Sequence, residues 1–141
     1  MSQPPWLWHR DFVIPSHTEL GGAVIHQVLA ELQRRQWSER DCFGIHLALD
    51  EALINAIKHG NGMDGSKSVY VGCWLSSDRL RVEVRDEGLG FDPAAVPDPT
   101  ADDRLDIPNG RGIMLMRKFM SRVDFSPCGN CVVMEKCRNG C

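Results

Sequence analysis

The chain has 141 residues, 43% of them apolar, and 16 Lys and Arg against 19 Asp and Glu give a formal net charge of −3. One domain spanning residues 1–141 is expected, because two compact units would each be left with too little core. The ordinary composition excludes disordered, collagenous and coiled-coil architectures. The acidic balance argues against direct nucleic-acid binding, which draws on clustered Lys and Arg. No apolar run approaches the roughly 18 residues of a membrane span. The start, Met1 to Trp6, lacks the charged-then-apolar plan of a signal peptide. A cytoplasmic protein without membrane association is therefore expected. Its six cysteines fall below the roughly 8–10% of a disulfide scaffold, and a reducing compartment keeps thiols free.

In chain order, Trp6 to Ile14 alternates loosely and ends at Pro15, as a first or edge strand does. Ser16 with Glu19 reads as a capping box. A helix is predicted over 17–36, with Leu20, Val24, Ile25, Val28, Leu29 and Leu32 on its apolar side. Ser38 with Asp41 repeats the start signal. The second helix runs through Ile45, Leu49, Ala52, Leu53, Ala56 and Ile57 to a stop at His59-Gly60-Asn61-Gly62. Residues 68–75 and 80–86 form an alternating hairpin, with Val69, Val71, Cys73 and Leu75 sharing one face.

From Gly88 to Gly112 the periodicity gives way to Pro, Gly and Asp, and a structureless stretch this long inside a domain is usually functional, such as a lid. A third helix is predicted over 113–120, with Met114, Met116 and Met120 as core and lid-supporting residues. Strands around 123–125 and 132–134 close the chain as a second hairpin. The order β-α-α-β-β-loop-α-β-β predicts an α+β two-layer sandwich, a mixed, mostly antiparallel sheet with helices on one face.

Three groups of residues carry chemistry. Glu51, Asn55 and His59 stand at i, i+4 and i+8 of one helix and so share a face. An Asn oxygen suits a hard cation such as Mg²⁺, and the carboxylate can orient or deprotonate a nucleophile. Taken alone, the same three residues also fit the exposed side of an amphipathic helix. Asp86-x-Gly88-x-Gly90 closes a strand; its Asp can accept from an exocyclic amine, and its glycines let the backbone approach a flat ligand. Gly110-x-Gly112 precedes the third helix, whose first-turn amides suit phosphate. Neither a P-loop nor a Rossmann fingerprint is present. Cys128, Cys131, Cys137 and Cys141 have the look of a zinc set, but Cys137 lies roughly 20 Å along a strand from Cys131 at 3.3 Å per residue, so hairpin and tail roles are preferred.

In this order and spacing the three groups resemble the N, G1 and G2 boxes of the GHKL ATPase superfamily, whose nucleotide site is the Bergerat fold. Within it the chain is most similar to the anti-sigma factor serine-protein kinases of bacterial partner switching. The similarity is carried by Leu49-Asp50-Glu51-Ala52 running into Asn55-Ala56-Ile57-x-His59-Gly60-Asn61, by Asp86-x-Gly88-x-Gly90-Phe91-Asp92-Pro93, and by Gly110-Arg111-Gly112-Ile113-x-Leu115-Met116. It covers about residues 10 to 136.

The resemblance implies that Asn55 ligates Mg²⁺ on the ATP phosphates and that Glu51 is the general base. It also implies that Asp86 recognises adenine, with Gly88 and Gly90 shaping the pocket. Residues 91–109 would be the lid, and Gly110, Arg111, Gly112 and Ile113 would surround the phosphates. Arg111 would pair with the γ-phosphate or face solvent; His59 would line the site or cap its helix. The implied function is transfer of phosphate from ATP to a serine of a STAS-domain anti-anti-sigma factor, together with sequestration of a sigma factor, by a homodimer. A nucleotide-binding regulatory module that acts on a partner without phosphorylating it is the alternative.

Overall fold

The computed structural model describes residues 6–88, 110–127 and 129–140. Strand β1 (Trp8–Pro15) leads into α1 (Thr18–Arg34) and α2 (Glu39–Ile54), which runs on through a π-helical turn at Asn55–Gly60. The hairpin β2 (Ser68–Leu75) and β3 (Arg79–Arg85) follows, then α3 (Gly110–Phe119), β4 (Arg122–Phe125) and β5 (Cys131–Cys137). The five strands lie in the order β1-β2-β3-β5-β4. Four antiparallel ladders join them. The expected α+β architecture is observed, although the sheet is antiparallel in every described ladder where a mixed one was expected. The β4–β5 hairpin enters with β5 against β3, so no parallel crossover is needed among these strands.

Alternation explains how sheet and helices meet. Val71 faces Val84, Cys73 faces Val82 and Leu75 faces Leu80 across the β2–β3 ladder. All six are buried in one core with the apolar stripes of the helices. Those stripes are Val24, Ile25, Val28 and Leu32 of α1, then Ile45, Ala48, Leu49, Ala52 and Leu53 of α2. Each fully buried Leu or Ile of this set contributes about 1.5–3 kcal/mol relative to exposure. On the opposite face of the sheet, Arg81 lies over Trp74 and Arg85 over Tyr70. Two expected core positions are exposed: Leu20 at the start of α1, and Met114, which is on the outer side of α3 while Ile113 and Met116 turn inward.

The helix starts divide the same way. Ser38 caps α2, its Oγ accepting the Asp41 amide at 3.1 Å. The capping box expected at Ser16 is not formed. His17 holds the cap position of α1 without a side-chain bond, while the buried Ser16 hydroxyl donates to the Lys67 carbonyl at 3.0 Å and accepts from Asn61 at 2.8 Å. Burial commits that hydroxyl to distant partners, so it has none to spare for the first turn of α1. No helix among the described residues is long and apolar enough to cross a membrane.

Candidate active site

The end of α2, the end of β3, the start of β5 and α3 meet around one pocket, whose lining includes Asn55, His59, Gly60, Asp86, Met116 and Asn130. The sequence order keeps these residues far apart; the antiparallel sheet and the helix layer bring them together.

Asn55 lines the pocket from the end of α2. It is only 8% exposed, and neither Oδ1 nor Nδ2 has a hydrogen-bond partner. A buried carboxamide left unpaired costs about 1–3 kcal/mol, so such groups are rare outside sites that await a ligand. Glu51 stands one α-helical turn before it, since the Asn55 amide still bonds to the Glu51 carbonyl. The Glu51 carboxyl is half-buried and lies outside the residues that line the pocket. Its pKa is raised, chiefly by burial and then by the neighbouring Asp50 carboxylate.

Beyond Asn55 the helix widens. The Asn61 amide bonds to the Ala56 carbonyl at 2.8 Å, five residues back, which defines a π turn, a feature frequent at functional sites. The simple i, i+4, i+8 stacking therefore holds from Glu51 to Asn55 and is altered at His59. The His59 ring still lines the pocket. Burial, and then the Lys58 ammonium, lower its pKa.

Asp86 follows β3 and is 8% exposed. Its amide donates to the Asn130 carbonyl at 2.9 Å, and its Oδ1 accepts the Gly88 amide at 2.8 Å. Burial raises its pKa, while the Gly88 N–H and the Lys67 ammonium act in the opposite direction. The carboxyl rests directly on Gly60, where an added Cβ would stand 2.2 Å from it.

Gly110 and Gly112 lie inside the first turn of α3, which begins at Gly110 and so three residues before the expected start. The amides of this turn are among the four that a helix leaves unpaired at its N-terminus. Gly112 is buried and Ile113 is 6% exposed, one helical turn from the pocket residue Met116. Gly90, residues 91–109 and the side chain of Arg111 lie outside what the structure describes.

Three residues of this region carry more than sequence reasoning gave them. Gly60 and Asn61 read there as a helix stop, and Asn130 as part of a hairpin turn. The hint for Gly60 was a Gly immediately after the His of the helix face. Among the cysteines, Cys42, Cys73 and Cys131 are free, and Cys73 is pushed up to about 12, chiefly by burial. Cys137 is disulfide-bonded, which departs from the expectation of reduced thiols. No group of three potential metal ligands from His, Cys, Asp and Glu occurs among the described residues.

The α+β sandwich thus places an unpaired Asn55 and the seated Asp86 in the lining of one pocket. A family model, the histidine kinase-like ATPase domain, matches residues 14–136, and the chain belongs to that family. It is 32% identical over 83 residues to the anti-sigma F factor of Oceanobacillus iheyensis, a match covering 57% of this chain and 56% of that protein. The chain thus spans little more than half the length of that relative. It is 29% identical over 136 residues to the serine-protein kinase RsbW of Bacillus velezensis, covering 90% of this chain and 84% of that one. The solved structure of the RsbU and RsbW domains of Rv1364c from Mycobacterium tuberculosis superposes with a TM-score of 0.63 at 15% identity, over 93% of this chain and 32% of that one. That likeness establishes the shared fold. Membership of the GHKL superfamily, with anti-sigma factors and serine-protein kinases as relatives, bears out the resemblance read from the boxes.

Proposed function

We propose that this chain is an ATP-dependent serine-protein kinase and anti-sigma factor that acts in the cytoplasm. In this reading it phosphorylates a serine on a STAS-domain anti-anti-sigma factor and, in the alternative partner state, holds a sigma factor. The observation that carries the reading is Asn55, buried in the pocket with both polar atoms unpartnered. Its donor chemistry fits Mg²⁺, which prefers oxygen ligands and shares its shell with phosphates; the ion would neutralise phosphate charge as transfer proceeds.

The residues of the chain supply the rest. Asp86, Gly88 and Gly90 receive the adenine, with the Asp86 carboxylate accepting from the exocyclic amine. His59 lines the pocket, and Gly110, Arg111, Gly112 and Ile113 hold phosphate oxygens through the amides and positive end of α3. Glu51 takes the proton of the attacking serine hydroxyl as its oxygen bonds to the γ-phosphorus and the bond to ADP breaks. The raised pKa of Glu51 supports that role, since a general base works best with a pKa moved toward the operating pH. The acting unit is a homodimer, in which each domain pairs with a second copy. Partner choice then follows nucleotide state: the same surface is offered to two competitors, and phosphorylation removes one of them.

The test combines labelled ATP, Mg²⁺, the protein and the STAS-domain proteins of the same genome, with Glu51→Ala as control. Label appearing on a STAS serine, and absent with Glu51→Ala, is the expected result. Retention of ATP with no transfer to any of them would favour the alternative, a nucleotide-binding module that regulates without phosphorylating. Absence of ATP binding would overturn both.

A further inference from the structure

Asn61 is 3% exposed and sits where three segments converge. Its Nδ2 donates to the Ser16 hydroxyl at 2.8 Å and to the Ser68 carbonyl at 2.9 Å. Its Oδ1 accepts the Glu87 amide at 2.7 Å. The orientation of this amide is fixed by its surroundings. Ser16 spends its own proton on the Lys67 carbonyl, so it can only accept from Asn61, as the Ser68 carbonyl must. The opposite orientation would set a carbonyl oxygen against two acceptors and a nitrogen against an N–H donor.

The bond to Glu87 is the one that reaches the pocket. Glu87 lies between Asp86 and Gly88, and its carboxylate in turn accepts the Ser68 amide. Asn61 also directly follows Gly60, the residue on which the Asp86 carboxyl rests. One side chain therefore ties together both walls of the Asp86 seat: Gly60 through the chain, and the Asp86–Gly88 loop through the Glu87 amide. The Nδ2 bonds to Ser16 and Ser68 are the anchors against which that tie pulls.

We propose that Asn61 is a positioning residue for base recognition, holding the Asp86 loop packed on Gly60 so that the Asp86 carboxyl stays aimed at a base in the pocket. The inference rests on the nucleotide reading above and deepens it. Asn61 has no contact with the base. Its removal frees the Glu87 amide and lets the Asp86 carboxyl drift, so the loss falls on discrimination between adenine and guanine. General destabilisation of the fold would weaken both nucleotides alike and would leave their ratio unchanged.

The experiment measures ATP and GTP affinities by calorimetry on the full chain, at a temperature where near-ultraviolet circular dichroism reports native packing. Wild type, Asn61→Ala, Asn61→Asp and Ser16→Ala are compared. The expected outcome is at least about a tenfold fall in the ATP-to-GTP affinity ratio for Asn61→Ala, comparable to losing one well-made hydrogen bond together with its aim. Asn61→Asp keeps an acceptor for the Glu87 amide but sets its second oxygen against the Ser68 carbonyl, so its ratio is expected to fall below that of wild type. Ser16→Ala leaves the Ser68 anchor and the Glu87 bond of Asn61 in place and is expected to lower the melting temperature with the ratio intact. A wild-type ratio in Asn61→Ala, or an equal loss in Ser16→Ala, overturns the assignment. If Asn61→Ala does not fold, hydrogen exchange of the Glu87 amide in the wild type decides: protection supports the tie, and exchange at the open-chain rate refutes it. A wild type that binds neither nucleotide refutes the nucleotide reading itself, whereas ATP binding with an unaltered ratio in Asn61→Ala refutes the role of Asn61 alone.

Discussion

Gly88 packs on Gly60 with no space for a side chain between them: a Cβ at Gly88 would stand 1.8 Å from the Gly60 carbonyl oxygen. The pair closes the gap between the π turn and the end of β3, and Asp86 is seated in that closure. A Cβ at Gly88 would force the two backbones apart, whereas one at Gly60 meets the Asp86 side chain. Gly60→Ala is the sharper probe, because its Cβ would collide with the Asp86 carboxyl at 2.2 Å. The expected cost is about 1–3 kcal/mol of stability, typical of overpacking, with ATP binding lost in a protein that still folds. Chemical denaturation and nucleotide titration of Gly60→Ala check both. Wild-type ATP affinity in this variant would remove the Gly60–Asp86 contact from the site.

Asn55 gives the opposite pattern, function lost with stability kept. Its amide is buried and unpaired, so the native fold carries the penalty of that group with nothing in return from the protein itself. Asn55→Leu replaces it with an apolar group of similar size among Ala52, Ala56 and Met116, its fellow lining residues. The variant is expected to be as stable as wild type or more so, by up to about 2 kcal/mol, and to lose Mg²⁺-dependent ATP turnover. A marked fall in melting temperature would show that the Asn55 amide is satisfied in solution and would weaken its role as a ligand.

How far the sequence could be read divides along range of interaction. Strand alternation located β2 and β3 and their buried face, because Val69, Val71, Cys73 and Leu75 depend on nothing beyond a period of two. Ser38 was legible as a cap because its partner, Asp41, is three residues away. Ser16 carried the same local signal and was misread, since its partners Asn61 and Lys67 lie 45 and 51 residues on. Met114 likewise fits a helical apolar pattern and turns outward, because the face that α3 buries is set by α2 and the sheet. The π turn at Asn55–Gly60 has no signature in hydrophobic spacing, so His59 was placed on a stack that the backbone alters before reaching it. Of the pocket residues, Asn55, His59 and Asp86 were legible as motif positions, and Gly60 and the neighbouring Asn61 stood inside a motif without a role of their own. The contacts of Gly60, Asn61 and Asn130 were not legible, since each acts through a residue distant in the chain.

Glu51 sets a pH limit on the proposed transfer. Burial and Asp50 raise its pKa above the ordinary value of 4.5, and a base must be ionised to accept a proton. Phosphotransfer is therefore expected to fail on the acid side at a pH higher than an ordinary glutamate would give, and to be independent of Glu51 ionisation above that limb. Glu51→Gln is expected to bind ATP with near wild-type affinity while transfer falls by at least about a hundredfold, the lower range for loss of a general base. Rates of label transfer against pH in both proteins check this. Transfer by Glu51→Gln at the wild-type rate would leave the hydroxyl proton to another group.

His59 makes a separate, measurable contribution to stability against pH. Burial and Lys58 hold its folded-state pKa below the ordinary value of 6.5, whereas the unfolded chain titrates near that value. Above pH about 6.5 both states are neutral and the ring contributes no pH dependence. Below it the unfolded chain takes up the proton first, so stability falls with decreasing pH across the interval down to the folded-state pKa. His59→Gln removes the titrating group and is expected to flatten that part of the curve, visible as a smaller change in denaturation midpoint between neutral and mildly acidic buffer. The His59 ring resonance in the nucleotide-free wild type should titrate below 6.5. A midpoint at or above the ordinary value would mean that the ring meets solvent or a carboxylate, and that it has no part in lining the site.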